Sequence, residues 1–464
     1  VTIWARLWVV GCLLGAACSN GAESPSSVSQ SVEIAPWSSE DESRVREYLR
    51  SQSVIRAYID GSPQYGHQSA TLNVLRRVRA LGFEGRFEVV FAQTLSGETN
   101  AERLAKLIPE FDAGKRDQFI ASWNARFVDD RTWSSTAPRT AVELGLTGGM
   151  DGGDHEGVRR ALHATYFLRL TPLHFSAATD NLMVHPRGIE GLPRALHGLP
   201  TRIPVTRRSD VAEFLQEVLA SDPRMLAKMD GLQALLNTKS QVLMFQRPRD
   251  IRQLEQVYAA VAELRDQRAD LFPHGCVIAV LYDASITMVD EALPSNTVLM
   301  REVIHRVDGL VLDAQGVPPW EAERAPTMIA LVGNVPMPVY EQIMAHATLP
   351  VIGSGANTEE LAWNLGRPVL FNDGFQPDLL DDDLPDDVHT VLSQASTQLI
   401  RRQEIRFDAV SRYLAQSLDE QSSLSRYYRD RFETKWPTDA PDKVLRALYE
   451  LWKIKIKLEH RPAC

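Results

Sequence analysis

The feature that most restricts this chain is an alternation, met twice, of short apolar runs with helical stretches of ten or more residues. In the first series VIRAYI (54–59) passes through a Gly- and Ser-bearing loop at 60–67 into a helical pattern ending near Leu81, and then into RFEVVFA (86–92). Parallel neighbours in a sheet need a long crossover between them, so this spacing predicts a parallel sheet covered by helices. AERLAKLIPEF continues as a helix, and HATYFLRLTPLHF and NLMVHP supply later strands. The second series begins near 239. SQVLMFQ (240–246), GCVIAVLYD, PTMIALVG (326–333), LPVIGSG and RPVLF are its strands, and RDIRQLEQVYAAVAELRDQ, PVYEQIMAHA and ANTEELAWNLG are its helices. Strands this continuously apolar are buried on both faces. Beyond Phe375 the character changes: DLLDDDLPDDVH is acidic and turn-rich, as a solvated linker would be, and 388–464 is almost continuously helical in pattern. KVLRALYELWKIKIKLEHRP carries an apolar stripe that suits packing on one of the α/β lobes.

At 464 residues there is room for two or three domains, and 44% hydrophobic with 24% charged residues is an ordinary globular composition. The net charge of −10 argues against a nucleic-acid partner, which requires a basic face. The N-terminus, VTIWARLWVVGCLLGAACSN, has one basic residue, an apolar run from Leu7 to Ala17, and then Cys18. That is the arrangement of a secretory signal, too short to span a bilayer. Leu14-Gly15-Ala16-Ala17-Cys18 resembles a bacterial lipobox, so the expectation is a signal peptide over 1–18 and lipidation at Cys18, with Cys12 a second candidate. The protein would then be exported and membrane-anchored, or cytoplasmic if the segment is not used as a signal. The Ser-rich stretch 19–45 reads as a tether. Cys276, within HGCVIAVLY, is expected as a buried small hydrophobe; with Cys464 it makes no disulfide framework.

Candidate chemistry concentrates in 326–371. A strand ends at Gly353, a Gly-Ser-Gly turn follows, and a helix opens at Ala356 or Asn357. Such a turn admits a ligand close to the backbone, and the free N–H groups of the helix start attract phosphate. A second element of this kind, Gly333 to Pro338, ends on the same sheet edge if the strands are parallel. Gly-containing turns of this type also occur without ligands.

These residues resemble the C-terminal lobe of GT-B glycosyltransferases, closest to the peptidoglycan GlcNAc-transferase type: a Gly–Val–Pro-like turn, the helix VYEQIMAHA, the strand LPVI, and then GANTEE…GRPVL. About 45 residues are covered well and the doubled α/β layout loosely. The resemblance implies two Rossmann-like lobes, with an N-terminal acceptor lobe over 46–237, a nucleotide-sugar donor lobe over 238–376 and a helical C-terminal extension over 377–464. It implies a metal-independent transferase with no cofactor, using a nucleotide sugar, UDP-linked, as co-substrate and an unidentified acceptor. The donor diphosphate would be held by Gly353, Ser354, Gly355, Ala356, Asn357 and Thr358, with Gly333 and Asn334 also among the donor-binding residues. The family's ribose-holding glutamate falls on Leu361, and Glu360 is the nearest substitute.

The family's N-terminal lobe also begins with a strand, a Gly-rich loop bearing a histidine, and a helix. Here that loop is Gly61-Ser62-Pro63-Gln64-Tyr65-Gly66-His67, with Gly61 and Gly66 in the acceptor loop. The resemblance makes His67 the general base for an attacking sugar hydroxyl, a task suited to a group that titrates near neutrality. An N-cap or packing role for His67 stays open beside it. TGGMDGGDHEG (147–157) could be an acceptor-side lid, a metal loop using Asp151, Asp154 and His155, or a surface turn. His185, Arg187 and His197 occupy loop positions at a cleft edge or elsewhere. Two other functions fit the same outline: a solute-binding lipoprotein with two α/β lobes, and a sugar-nucleotide epimerase.

Overall fold

Both series fold as the alternation requires. The computed structural model describes residues 37–61, 65–93, 98–136, 140–150, 153–172, 181–193, 196, 199–220, 223–295, 299, 301–314, 316–321, 327–373, 376–380, 384–401, 406–435 and 440–459. The first series builds an eight-stranded sheet from Val54–Ile59 (β1), Arg86–Phe91 (β2), Asp117–Ile120 (β3), Ala125–Asp129 (β4), Val142–Thr147 (β5), Ala164–Arg169 (β6), Leu182–His185 (β7) and Gly188–Gly191 (β8), in the order β3-β4-β2-β1-β5-β6-β7-β8. Its five central strands are parallel, and antiparallel pairs close both margins. The second series builds a wholly parallel sheet from Gln241–Gln246 (β9), Cys276–Leu281 (β10), Ile304–Arg306 (β11), Thr327–Gly333 (β12), Val351–Gly353 (β13) and Val369–Phe371 (β14), ordered β11-β12-β10-β9-β13-β14.

In both sheets the chain fills one side of the first strand and then resumes on the other. That reversal lies between β1 and β5 in the first lobe and between β9 and β13 in the second. Where neighbouring strands send their connections to opposite faces, a crevice opens beyond their carboxyl ends, and this is where doubly wound sheets bind ligands. The architecture is thus α/β with two tandem Rossmann-like lobes, the arrangement implied by the GT-B resemblance.

Packing departs from the expected layout at three points. The helices Val211–Leu219 and Met229–Leu236, expected with the first lobe, bury Phe214, Leu215, Leu232 and Leu235 against the second sheet. The tether ends sooner than expected: Ser39–Arg50 is a helix opened by a Ser38/Asp41 capping box, and its Val45 and Leu49 join the first core. The acidic stretch after 376 is not simply solvated, because Asp378 is fully buried and accepts from Tyr428 Oη (2.9 Å), Gln376 Nε2 (2.8 Å) and the Arg431 guanidinium.

The tail is helical and divides its allegiance. Asp386–Ile400, Asp408–Leu418 and Ser423–Asp430 pack on the second lobe through Leu392, Tyr413 and Tyr427, whereas Lys443–Glu459 returns to the first lobe and buries Val444, Leu448 and Leu451 there. Both sheets and the tail belong to one compact unit. Cys276 is buried in β10 as expected, and the loss of hydration pushes its thiol pKa far up. Among the described residues no helix is long and apolar enough to cross a membrane. Cys12, Cys18, Asp151, His197 and Cys464 lie outside the described residues.

Candidate active site

The first switch point is built around His67. The helix Tyr65–Ala80 starts three residues earlier than the loop reading implied, so His67 lies in its first turn. Its Nδ1 stands 2.7 Å from Asp60 Oδ1, at the carboxyl end of β1. The imidazole keeps 22% of its surface in solvent, while Asp60 is almost wholly buried. Behind Asp60, Asn100 Nδ2 donates to Asp60 O (2.6 Å) and Ala92 O (2.9 Å), tying β1 to β2, and Gln68 Nε2 donates back to Asn100 Oδ1. On the other side, the turn after β5 lies directly on the helix. A Cβ on Gly148 would fall 2.3 Å from the Thr71 nitrogen, and one on Gly149 would fall 2.8 Å from His67 Cδ2. Only glycine permits that approach. A buried carboxylate that accepts from one ring nitrogen holds an imidazole in the tautomer whose other nitrogen is the basic one. Of the acceptor-loop glycines, Gly61 is pressed against Gln93 O, and Gly66 is in the helix with open space around it.

The second switch point meets the first through that same helix. Asn73 Nδ2 donates to Asn357 Oδ1 (2.8 Å), and Asn357 Nδ2 donates to Ser69 Oγ (3.1 Å). Arg76 pairs with Glu341 one turn further on. The Asn357 side chain is therefore an interlobe latch. Thr358 is also turned inward: its Oγ1 donates to Gln246 Oε1 (2.8 Å) and meets Tyr340 Oη at 3.2 Å, and Gln246 Nε2 donates to Tyr282 Oη (3.1 Å). Gly353 lies under Gln246 with no room for a side chain. Ser354 is partly exposed and Gly355 exposed, with φ +99° and nothing near a hypothetical Cβ. The helix Ala356–Asn364 that follows has no side-chain cap; Thr358 N donates to Gly355 O (3.0 Å), so the positive end of its dipole is at the N–H groups before Thr358.

Arg247, missed in the sequence reading, completes this corner. Ile352 of β13 pairs with Phe245 of β9, so Arg247, two residues beyond Phe245, and Ser354, two residues beyond Ile352, leave the carboxyl ends of neighbouring strands together. Its side chain is exposed, and no carboxylate pairs with it among the described residues. Arg247 (φ +50°) and Tyr282 (φ +82°) are two non-glycine residues with left-handed backbone, at the carboxyl ends of adjacent strands, in line with Gly333 (φ +70°) and Gly355. Such conformations cost on the order of 1–3 kcal/mol each and gather at ligand sites. The signal in the sequence was an arginine directly following an apolar strand.

Two donor-site expectations need correction. Glu360 is fully buried with its carboxylate turned away from the opening, accepting from Thr201 N (2.7 Å) and lying 3.6 Å from Lys443 Nζ. Gly333 and Asn334 share the sheet edge with Gly353, but three strand intervals separate them, roughly 14 Å. Asp283 occupies that end: it accepts from Asn334 N (2.7 Å) and Asn334 Nδ2 (2.8 Å), while Lys228 Nζ donates to Val332 O and Asn334 O. Lys228 Nζ also lies 4.0 Å from Asp283 Oδ1, so the Gly333 end carries a paired charge, whereas Arg247 has no carboxylate paired with it among the described residues. In the described part of 147–157, Asp154 caps the helix His155–Ala161, and His155 lies between Gly153 O (3.1 Å) and Arg169 Nη1 (3.2 Å). Burial and Arg169 together hold the His155 pKa down. His185 is buried and accepts from Arg187 N (3.2 Å), away from both switch points.

No family model matches the chain, and no curated protein is detectably similar to it. Among solved structures it is similar to a family 9 glycosyl transferase from Veillonella parvula (10% identity, 70% of this chain and 80% of that one, TM-score 0.35). It is also similar to MnaA of S. aureus in complex with UDP (11%, 89% and 98%, TM-score 0.40) and to a UDP-GlcNAc 2-epimerase from Neisseria meningitidis bound to UDP-GlcNAc (13%, 87% and 99%, TM-score 0.34).

Proposed function

We propose that the protein is a glycosyltransferase that moves a sugar from a nucleoside-diphosphate donor to a hydroxyl acceptor. One observation carries the reading. The helix Tyr65–Ala80 bears the His67–Asp60 pair in its first turn and seats Asn357, at the anion-attracting end of the other lobe, through Ser69 and Asn73. Six residues of helix separate His67 from Asn73, about 9 Å along the axis, within the length of one nucleotide sugar.

The donor diphosphate would lie along Ser354 and Gly355, against the N–H groups opening Ala356–Asn364, with the Arg247 guanidinium beside it. His67, its Nδ1–H donated to Asp60, would take the acceptor hydroxyl proton at Nε2. The freed oxygen would bond the anomeric carbon as the bond from that carbon to the phosphate oxygen breaks. The departing diphosphate carries away the electron pair, and its charge would be met by Arg247 and the helix N–H groups. A solute-binding protein has no use for a carboxylate-oriented imidazole, so the pair favours the enzyme.

Titration with UDP, then with GDP, ADP and dTDP, tests the donor site by melting temperature. Ligand at a hundred times its Kd stabilises by about 2.7 kcal/mol, a rise of several degrees. Loss of that rise in Arg247→Gln ties it to this corner. No rise with any nucleoside diphosphate, alongside a rise with free sugars or amino acids, would replace the transferase with the solute-binding reading.

A further inference from the structure

We propose that the opposite edge of the second sheet carries a separate binding pocket for a small organic anion, anchored by Arg367 and roofed by the helical tail. A cavity of about 320 Å³ opens where Pro350 leads into β13 and Pro368 leads into β14. Every strand of that sheet is parallel, so these are amino ends, at the opposite end of the strands from Arg247 and Gly355; four residues along β13 separate Pro350 from Ser354, roughly 13 Å. The pocket is thus independent of the proposed sugar site. Its size falls at the lower end of the range for small-molecule sites, about 300–1,000 Å³.

Arg367 decides the chemistry. It is half-buried, and its Nε is fully enclosed with no hydrogen-bond partner. No carboxylate pairs with its guanidinium among the described residues; its charged neighbour is another cation, Arg207, and burial and Arg207 both lower its pKa. A guanidinium keeps its proton at any physiological pH, so an enclosed one without an anion is a deficit that a bound carboxylate or phosphate would remove.

The other walls define the rest of the ligand. Ser417 Oγ donates to Tyr413 O and Tyr428 Oη donates to Asp378, so both hydroxyl protons are committed, whereas Ser425 Oγ makes no hydrogen bond among the described residues. Leu349, Leu418 and Phe432 are apolar, and exposed Arg429 and Glu433 stand at the rim with opposite charges. Phe432 and Glu433 come from a π-helical turn, Arg431–Lys435, a backbone form frequent at functional sites. One anionic group on a compact apolar body matches a lone guanidinium, a free hydroxyl and apolar walls.

The test uses the full chain with phenyl phosphate and benzoate as probes and benzyl alcohol as the neutral control, read by calorimetric titration. At least one anionic probe should bind, and benzyl alcohol should bind at least tenfold more weakly. The ranking of the two anions then tells a phosphate site from a carboxylate site. Arg367→Gln should weaken the preferred anion tenfold or more, Ser425→Asp should do the same by placing a carboxylate in the pocket, and Arg247→Gln should leave it within twofold. Circular dichroism establishes that each variant is folded. Failure of both anions to bind, equal binding of benzyl alcohol, or unchanged affinity in both folded pocket variants would overturn the site.

Discussion

His67 matters through the carboxylate beside it. Asp60 stands 2.7 Å from Nδ1, which assigns the proton-accepting role to the other ring nitrogen, and Asn100 holds Asp60 in place through its backbone oxygen. His67→Ala should lower transfer by on the order of 10²–10⁴-fold while UDP affinity stays within twofold. Asp60→Asn should lower kcat with little change in donor KM, because an amide no longer fixes the tautomer. Paired kinetics and calorimetry read both, and unchanged turnover in His67→Ala would remove it as base. A second residue reports on stability. Glu359 is fully buried with neither carboxyl oxygen hydrogen-bonded, and burial, reinforced by Asp378, raises its pKa well above 4.5. The folded chain therefore keeps a proton that the unfolded chain releases above about pH 4.5, so this group's contribution is present below that pH and is lost as pH rises through its folded pKa. Glu359→Gln stays neutral throughout. Its melting temperature relative to the parent should climb as pH rises above 4.5; a difference that stays flat with pH would mean that Glu359 is ionised in the fold.

At the scale of elements, Tyr65–Ala80 is the bar between the lobes. Ser69 and Asn73 meet Asn357, Arg76 meets Glu341, and Arg77 Nε donates to Asp442 Oδ2 (2.9 Å) at the start of the last helix. Burial raises the Glu341 pKa, and Arg76 offsets part of that rise. Removing Arg76 leaves a buried carboxylate alone, so Arg76→Ala should cost about 3–5 kcal/mol of stability. Replacing both partners, as Arg76→Leu with Glu341→Leu, should recover most of that loss. Urea unfolding of the two variants makes the comparison, and equal stabilities would show that the pair is not a buried ion pair. The helix itself was legible in the sequence as the crossover after β1. Its lateral partners were not, because contacts 265–365 residues apart leave no local pattern.

At the scale of the whole molecule, the tail closes the structure. Lys443 is fully buried, donating to Thr171 O (2.6 Å) in the first lobe and lying beside Glu360 of the second. Val444, Leu445, Leu448 and Leu451 are buried with it. Four such side chains contribute roughly 6–12 kcal/mol, as much as the entire stability of a typical domain. Deleting 443–459 should therefore leave a chain that is insoluble or lacks a cooperative transition, rather than an intact enzyme without an appendage. A soluble truncated chain with an unchanged melting temperature would show that the helix is dispensable.

The two-lobed α/β plan was determined by the sequence alone, because strand and helix periodicities are local and the crossover length admits only parallel neighbours. The turn at Gly355 was legible for the same reason, since a turn between a strand and a helix declares itself within a few residues, whereas His67, expected in such a turn, is in the helix that follows. Asp60 as the partner of His67, Arg247 opposite Ser354, the inward turn of Glu360 and the return of the last helix to the first lobe were decided by tertiary structure. Each depends on which strands become neighbours and which carboxylates lose water, and burial is a property of the folded whole that no short stretch encodes.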